Sequence, residues 1–240
     1  MIAGMDWLAV LLATDAPALP APWLMRLGLT LGWALVLGLL GAALAGRLPP
    51  KGRRRVALAL ALWTLVPGPV SPDYWLGLAF HAPSLTGMLL CGWGLQRLLF
   101  PLGPGVASPS QADAAATPLH GTSLFGVLWP PVALGYLLLL DTFAVLPLQL
   151  YAWGFSPLAL LCLLAVSFLP GVLHGFTFSR STPEVWVAPA ALLLFAATRL
   201  PTGNVWDALI DPWLWLFLNG ALLRAVYRRW RDAKALAPQI

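Results

Sequence analysis

Apolar positions run almost unbroken from Trp23 to Leu48, WLMRLGLTLGWALVLGLLGAALAGRL, and stop at Pro49, Pro50 and the basic group Lys51 to Arg55. A bilayer crossing needs roughly 20 such residues, so this is the clearest predicted span. Further apolar runs follow at Val56 to Val66, Tyr74 to Phe100, Leu124 to Leu140, Leu158 to Leu173, Val185 to Thr198 and Trp213 to Tyr227. The second run is short, so flanking arginines must lengthen it by snorkelling or the helix must tilt. Residues 141–157, DTFAVLPLQLYAWGFSP, are aromatic and mildly polar, the pattern of an element lying in the interface. The fold class expected is all-α: a polytopic integral membrane helical bundle of about seven transmembrane helices. Six crossings plus a re-entrant or interfacial segment is the close alternative.

The chain reads as a single membrane domain over 1–240. Residues 1–22 form an outer interfacial segment, 23–100 carry helices one to three, and 101–123, rich in Pro, Ala, Gly and Ser, form a flexible cytoplasmic loop. Residues 124–227 carry helices four to seven, and 228–240 are a basic cytoplasmic tail. The short apolar stretch from Trp7 to Ala13 has no positive residue before it and follows Asp6. It fits a cleaved signal peptide poorly, and a short interfacial helix is expected.

Composition agrees with the pattern: 60% hydrophobic residues, 10% charged, and a mean hydropathy of +0.81 would leave large apolar patches on a soluble domain. The net charge of +5 raises nucleic acid as a partner. The basic residues instead sit beside apolar runs, at Arg53 to Arg55 and Arg228 to Lys234, where they fix topology and touch anionic lipid. No nucleic-acid partner is expected. Placing Lys51 to Arg55 in the cytoplasm puts the N-terminus outside and, after seven crossings, the C-terminus in the cytoplasm. All of the 14 Lys and Arg except Arg26 and Arg199 then fall on the cytoplasmic side, and Asp6, Asp15, Asp73, Asp141, Asp207 and Asp211 fall outside.

Candidate chemistry is sparse. Ser71-Pro72-Asp73 reads as a helix start, with Ser at the N-cap, Pro at the first position and Asp in the first turn. Spacings of four and three from Asp73 reach Gly77, His81, Ser84, Met88 and Cys91, a small and polar stripe expected to face protein. Pro83 should kink that helix just past His81. An imidazole within a membrane helix must find a partner, which makes His81 a catalytic candidate beside a bland reading as a bonded neutral histidine. Asp73 and His81 are eight residues apart, about 12 Å along a helix, too far for a direct acid-base pair.

At the outer turns, Asp141, Asp207 and Asp211 accompany Tyr151, Trp153, Trp206 and Trp213. Asp73, Asp141, Asp207 or Asp211 could serve as a catalytic general base together with His81, with Arg26 and Arg199 as a substrate-binding phosphate clamp for a lipid-linked donor. Helix capping by the aspartates and anchoring by the aromatics is the favoured alternative. His120 and His174 fall at cytoplasmic ends of predicted spans, and no HxxxH, HExxH or CxxC spacing supports a metal or haem. Neither metal nor cofactor is expected. Gly28-xxx-Gly32 and Gly38-xxx-Ala42-xxx-Gly46 permit close helix contact. The deep polar groups are Thr30, Thr64, Ser84, Thr86, Ser167 and Asn219, and no Asp, Glu or Lys is predicted at mid-span, as ion-coupled carriers need.

The leading expectation is a non-catalytic integral membrane subunit anchoring or scaffolding a larger bacterial cell-envelope assembly. Its partners would be membrane lipids and other membrane protein subunits, in the cell inner membrane. A membrane-embedded transferase or hydrolase acting on a lipid-linked substrate at the outer face is the alternative. A small-solute transporter or channel, suggested by the proline-broken helices, is the third reading.

Overall fold

The computed structural model describes residues 7–14, 17–100, 121–173 and 186–236, and among them every regular element is a helix. The helices are α1 (Trp7–Leu12), α2 (Pro22–Leu44), α3 (Pro50–Thr64), α4 (Pro72–Phe80), α5 (Leu85–Leu99), α6 (Gly121–Thr142), α7 (Leu150–Trp153), α8 (Pro157–Leu173), α9 (Val187–Thr198), α10 (Val205–Leu209) and α11 (Pro212–Leu236). Five of them, α2, α3, α4, α8 and α11, begin on proline. Its fixed φ suits the first helical position, and its missing N–H would have no partner there. By length and apolar character, α2 is the one described helix able to cross a bilayer by itself, with a mean hydropathy of 2.0. Shorter apolar helical stretches occur at Leu128–Thr142, Pro157–Leu169 and Val187–Thr198. His120, His174 and most of the expected 101–123 loop lie outside the described residues.

Two compact units divide the chain. The first comprises Met1–Leu99 and Pro147–Asp211 and is organised around α2. Arg53 Nε donates to Ala42 O at 3.2 Å, Gly41 faces Val56 and Leu60, and Gly38 faces Ala57 and Ala61, so α3 runs antiparallel to α2. Gly32 faces Met88, Leu35 lies by Gly92, and Gly38 also meets Leu95, so α5 runs parallel to α2. The glycines are what allow these approaches: a Cβ on Gly41 would stand 2.3 Å from Leu60 Cδ1, and one on Gly32 would stand 2.9 Å from Pro83 Cδ. The small-residue face expected to serve helix contact is therefore used within this unit. A second core gathers Leu85, Leu160, Ala191, Leu192, Phe195, Leu200, Val205 and Ala208, joining α5, α8, α9 and α10.

The second unit comprises Phe100–Leu146 and Pro212–Ile240, in which α6 packs on α11. Trp215 Nε1 donates to Val132 O at 3.1 Å, and Tyr136 OH donates to Asn219 Oδ1 at 3.1 Å. A Cβ on Gly135 would stand 2.2 Å from Trp215 Cδ1. Asn219, one of the deep polar groups, is thus a helix-pairing residue.

The expected third span, Tyr74 to Phe100, is not one kinked helix. It breaks fully at His81 to Ser84, giving α4 and α5. Pro83 disfavours a helical conformation at the residue before it and cannot donate to Ala79, and the chain resolves both by leaving the helix.

Candidate functional site

The break between α4 and α5 is tied down from two sides, by α2 and by the segment from α10 to Asp211. Trp33 Nε1, on α2, donates to His81 O at 2.9 Å, and Pro83 packs against Gly32. Ser84 is completely buried, and its N–H and hydroxyl both donate to Asp211 Oδ2, at 2.7 and 2.6 Å. The same hydroxyl accepts the Gly87 N–H at 3.1 Å, so Ser84 caps α5 and Asp211 sets a carboxylate at that helix's positive end. Thr86 Oγ1 adds a long bond to Ala208 O, 3.4 Å. The discontinuities after α4 and after α10 therefore meet, and non-helical backbone is satisfied by protein, as it must be away from water.

Asp73 lies in the first turn of α4, as expected, and its Oδ2 also accepts from Thr30 Oγ1 at 2.7 Å. Ser71 occupies the N-cap position but its side chain does not cap α4. Its hydroxyl turns back to Thr64 O at 3.0 Å, closing the end of α3. His81 departs from expectation. It is exposed rather than part of a protein-facing stripe, and its backbone at φ 59°, ψ −158° occupies a region that glycine alone enters readily.

A second polar cluster holds α7 against the segment around α10. Asp207 accepts from Tyr151 OH at 2.8 Å and from Thr202 Oγ1. Asn204, fully buried, accepts the Trp206 N–H at 2.9 Å as N-cap of α10 and donates to Tyr151 O at 2.9 Å. Trp206 Nε1 donates to Leu150 O at 2.9 Å. Gly154 is required there, because a Cβ would fall 1.9 Å from Asn204 Oδ1. Burial first, then the Asp207 charge and the hydrogen bond to it, push the Tyr151 phenol above its ordinary pKa.

No protein-family model matches the chain, and no curated protein or solved structure matches it. The site must be read from its own geometry.

That geometry does not assemble the expected phosphate clamp. Arg26 is exposed on α2, while Arg199 stands at the left-handed C-cap of α9 with its guanidinium 5.4 Å from the Phe195 ring centroid. Among the described residues no ion pair joins either arginine to Asp73 or Asp207. Asp141 belongs to the second unit, near the end of α6. Among the described residues no three His, Cys, Asp or Glu side chains gather as a metal site. Between α2, α5 and α9 lies an apolar cavity of about 430 Å³, lined by Leu35, Leu85, Met88, Trp93, Gln96 and Leu194 among others.

Asn204 and Thr202 did not stand out in the sequence, although the spacing Asn204-x-x-Asp207 is a helix-start signature of the kind that places an N-cap three residues before an acid. Trp33 as a donor to a broken backbone carries no local sequence signal.

Proposed function

We propose that the protein is a polytopic inner-membrane subunit of about seven crossings, N-terminus outside and C-terminus cytoplasmic, that scaffolds a larger envelope assembly. The observation that carries this reading is the use to which its polar groups are put. Asp73, Asp207 and Asp211 each receive hydroxyl donors from another segment, and Thr64, Ser71, Ser84 and Asn204 are all 0% exposed. Meanwhile Trp23, Leu31, Leu44, Trp75, Leu78 and Phe217 are exposed. Polar joints inside and large apolar side chains outside are the arrangement that suits lipid as solvent. The parallel course of α2 and α5 suits first and third crossings. Reporter fusions after Arg55, Pro69 and at the C-terminus test the topology, expected to report cytoplasm, outside and cytoplasm. Purification of a tagged chain in mild detergent tests the scaffold role: a fixed partner should co-elute. Recovery of the chain alone, stable and with a catalytic or transport activity of its own, would refute it.

A small-solute transporter is the second reading, favoured by the meeting of two helix breaks at Ser84 and Asp211, since transporters build sites from discontinuous helices. In that reading Asp211 must exchange its Ser84 contacts for solute. Labelling a cysteine placed at Ser84 by an aqueous maleimide would support it, and protection there would count against it.

A further inference from the structure

We propose that the turn joining α2 to α3 is a binding site for the phosphate headgroup of an anionic bilayer lipid, a reading that rests on the membrane placement above. Arg47, Lys51, Arg53, Arg54 and Arg55 fall within nine residues, and the sequence holds no acid between Asp15 and Asp73. Lys51, Arg53 and Arg54 stand in the first turns of α3, where no acidic residue precedes or accompanies them and where the helix macrodipole disfavours cations. A helix start built this way invites an anion from outside the chain.

The unit supplies none from its described residues. Of its described carboxylates, Asp73 is bonded to Thr30 of α2, while Asp207 and Asp211 are bonded to the hydroxyls of Tyr151 and Ser84. Thr30, the partner of Asp73, is twelve residues from Ala42, about 18 Å along the helix. Arg53 is committed to the Ala42 carbonyl. Arg54 Nε is buried without a hydrogen-bond partner, whereas Arg47, Lys51 and Arg55 are exposed. Three exposed cations, Arg47, Lys51 and Arg55, with no acid in the same turn match a phosphate that accepts several charge-assisted bonds at once. The tail at the end of α11 differs, because Arg231 has Asp232 beside it, 3.7 Å away. The apolar run that continues α3 from Val56 places the cluster where headgroups lie, so the phosphate comes from a lipid rather than from a soluble ion.

The test is the melting temperature of the whole purified chain in dodecyl maltoside micelles doped with dioleoyl phosphatidylglycerol or dioleoyl phosphatidylcholine. The anionic lipid should raise the midpoint by about 4 °C over the zwitterionic one. The Lys51→Gln, Arg54→Gln, Arg55→Gln variant should lose that difference, and the Arg228→Gln, Arg229→Gln, Arg231→Gln variant should keep it. Equal response to the two lipids, or the reverse pattern between the variants, overturns the site. If the first variant fails to insert, the tail variant decides alone: persistence of the difference supports the site, and its loss refutes it. Millimolar inorganic phosphate should not reproduce the shift, and a full shift with it would overturn the lipid as source. A chain absent from the membrane fraction would fail the membrane reading itself, whereas an inserted chain indifferent to headgroup fails this proposal only.

Discussion

Replacing Asp211 by Ala isolates the joint between the two helix breaks. Two donors would be stranded, the Ser84 N–H and the Ser84 hydroxyl, in a residue that has no exposed surface. Hydrogen bonds to a charged group contribute about 1.5–3 kcal/mol each, and a buried orphan donor costs about 1–3 kcal/mol. The hydroxyl keeps its bond from Gly87 and can turn, so the net loss should be about 3 kcal/mol rather than the sum. At about 2–4 °C per kcal/mol for a chain of this length, the midpoint should fall by about 6–12 °C. Asp211→Asn is the informative partner. Both bonds end on one oxygen, Oδ2, and an amide retains one carbonyl oxygen in the same place. It should lose only the charge assistance, about 1 kcal/mol or a fall of about 2–4 °C. The 13 tryptophans make intrinsic fluorescence in detergent a sufficient assay. A midpoint for Asp211→Ala within about 1 °C of wild type, or equal losses for Ala and Asn, would refute the account of Asp211 as a capping joint.

Three further outcomes are expected. His81→Gly should raise stability by about 1 kcal/mol, because the imidazole-bearing residue holds a glycine conformation; His81→Ala should give no gain, and a matching gain would locate the cost in the ring rather than the backbone. Gly154→Ala should cost about 3 kcal/mol or prevent folding, since its Cβ collides with Asn204, and normal melting would contradict that packing. The raised pKa of Tyr151 means the folded state favours the neutral phenol. Its contribution is fully present below the ordinary value near 10 and is lost as pH climbs toward the folded-state value. Tyr151→Phe should therefore lower stability at pH 8 yet soften its decline at alkaline pH; identical slopes in the two proteins would sink the assignment.

Helices were legible in the sequence where a single run decided them. The limits of α8 and α9 follow hydropathy closely, and Pro72 marked the start of α4 because the reason for a proline at the first turn is local; Pro50 was read only as the end of the first span, although α3 begins on it, six residues before the apolar run at Val56. The break after Phe80 was only half legible. Pro83 announced a disturbance, but whether the helix bends or ends depends on whether neighbours can satisfy the freed backbone, and those neighbours are Trp33 and Asp211. The role of Asp73 was legible as a first-turn acid and illegible as the acceptor for Thr30, 43 residues away. His81 misled because helical spacing assigns a face only while the helix continues. Asp211 could be read as a cap, but nothing near it in the chain said that the helix it serves is α5.

That last partnership sets an order of assembly. Ser84 and Asp211 are 127 residues apart, and at about 5–20 residues per second of synthesis the ribosome needs about 6–25 s to deliver the second after the first. During that interval α2, α3 and α5 can already meet through their glycines, while the first turn of α5 lacks the carboxylate that completes it. The first unit is therefore closed by a latch made only after its other helices, and a nascent protein arrested before Asp211 would display an open helix start as the mark of its incompleteness.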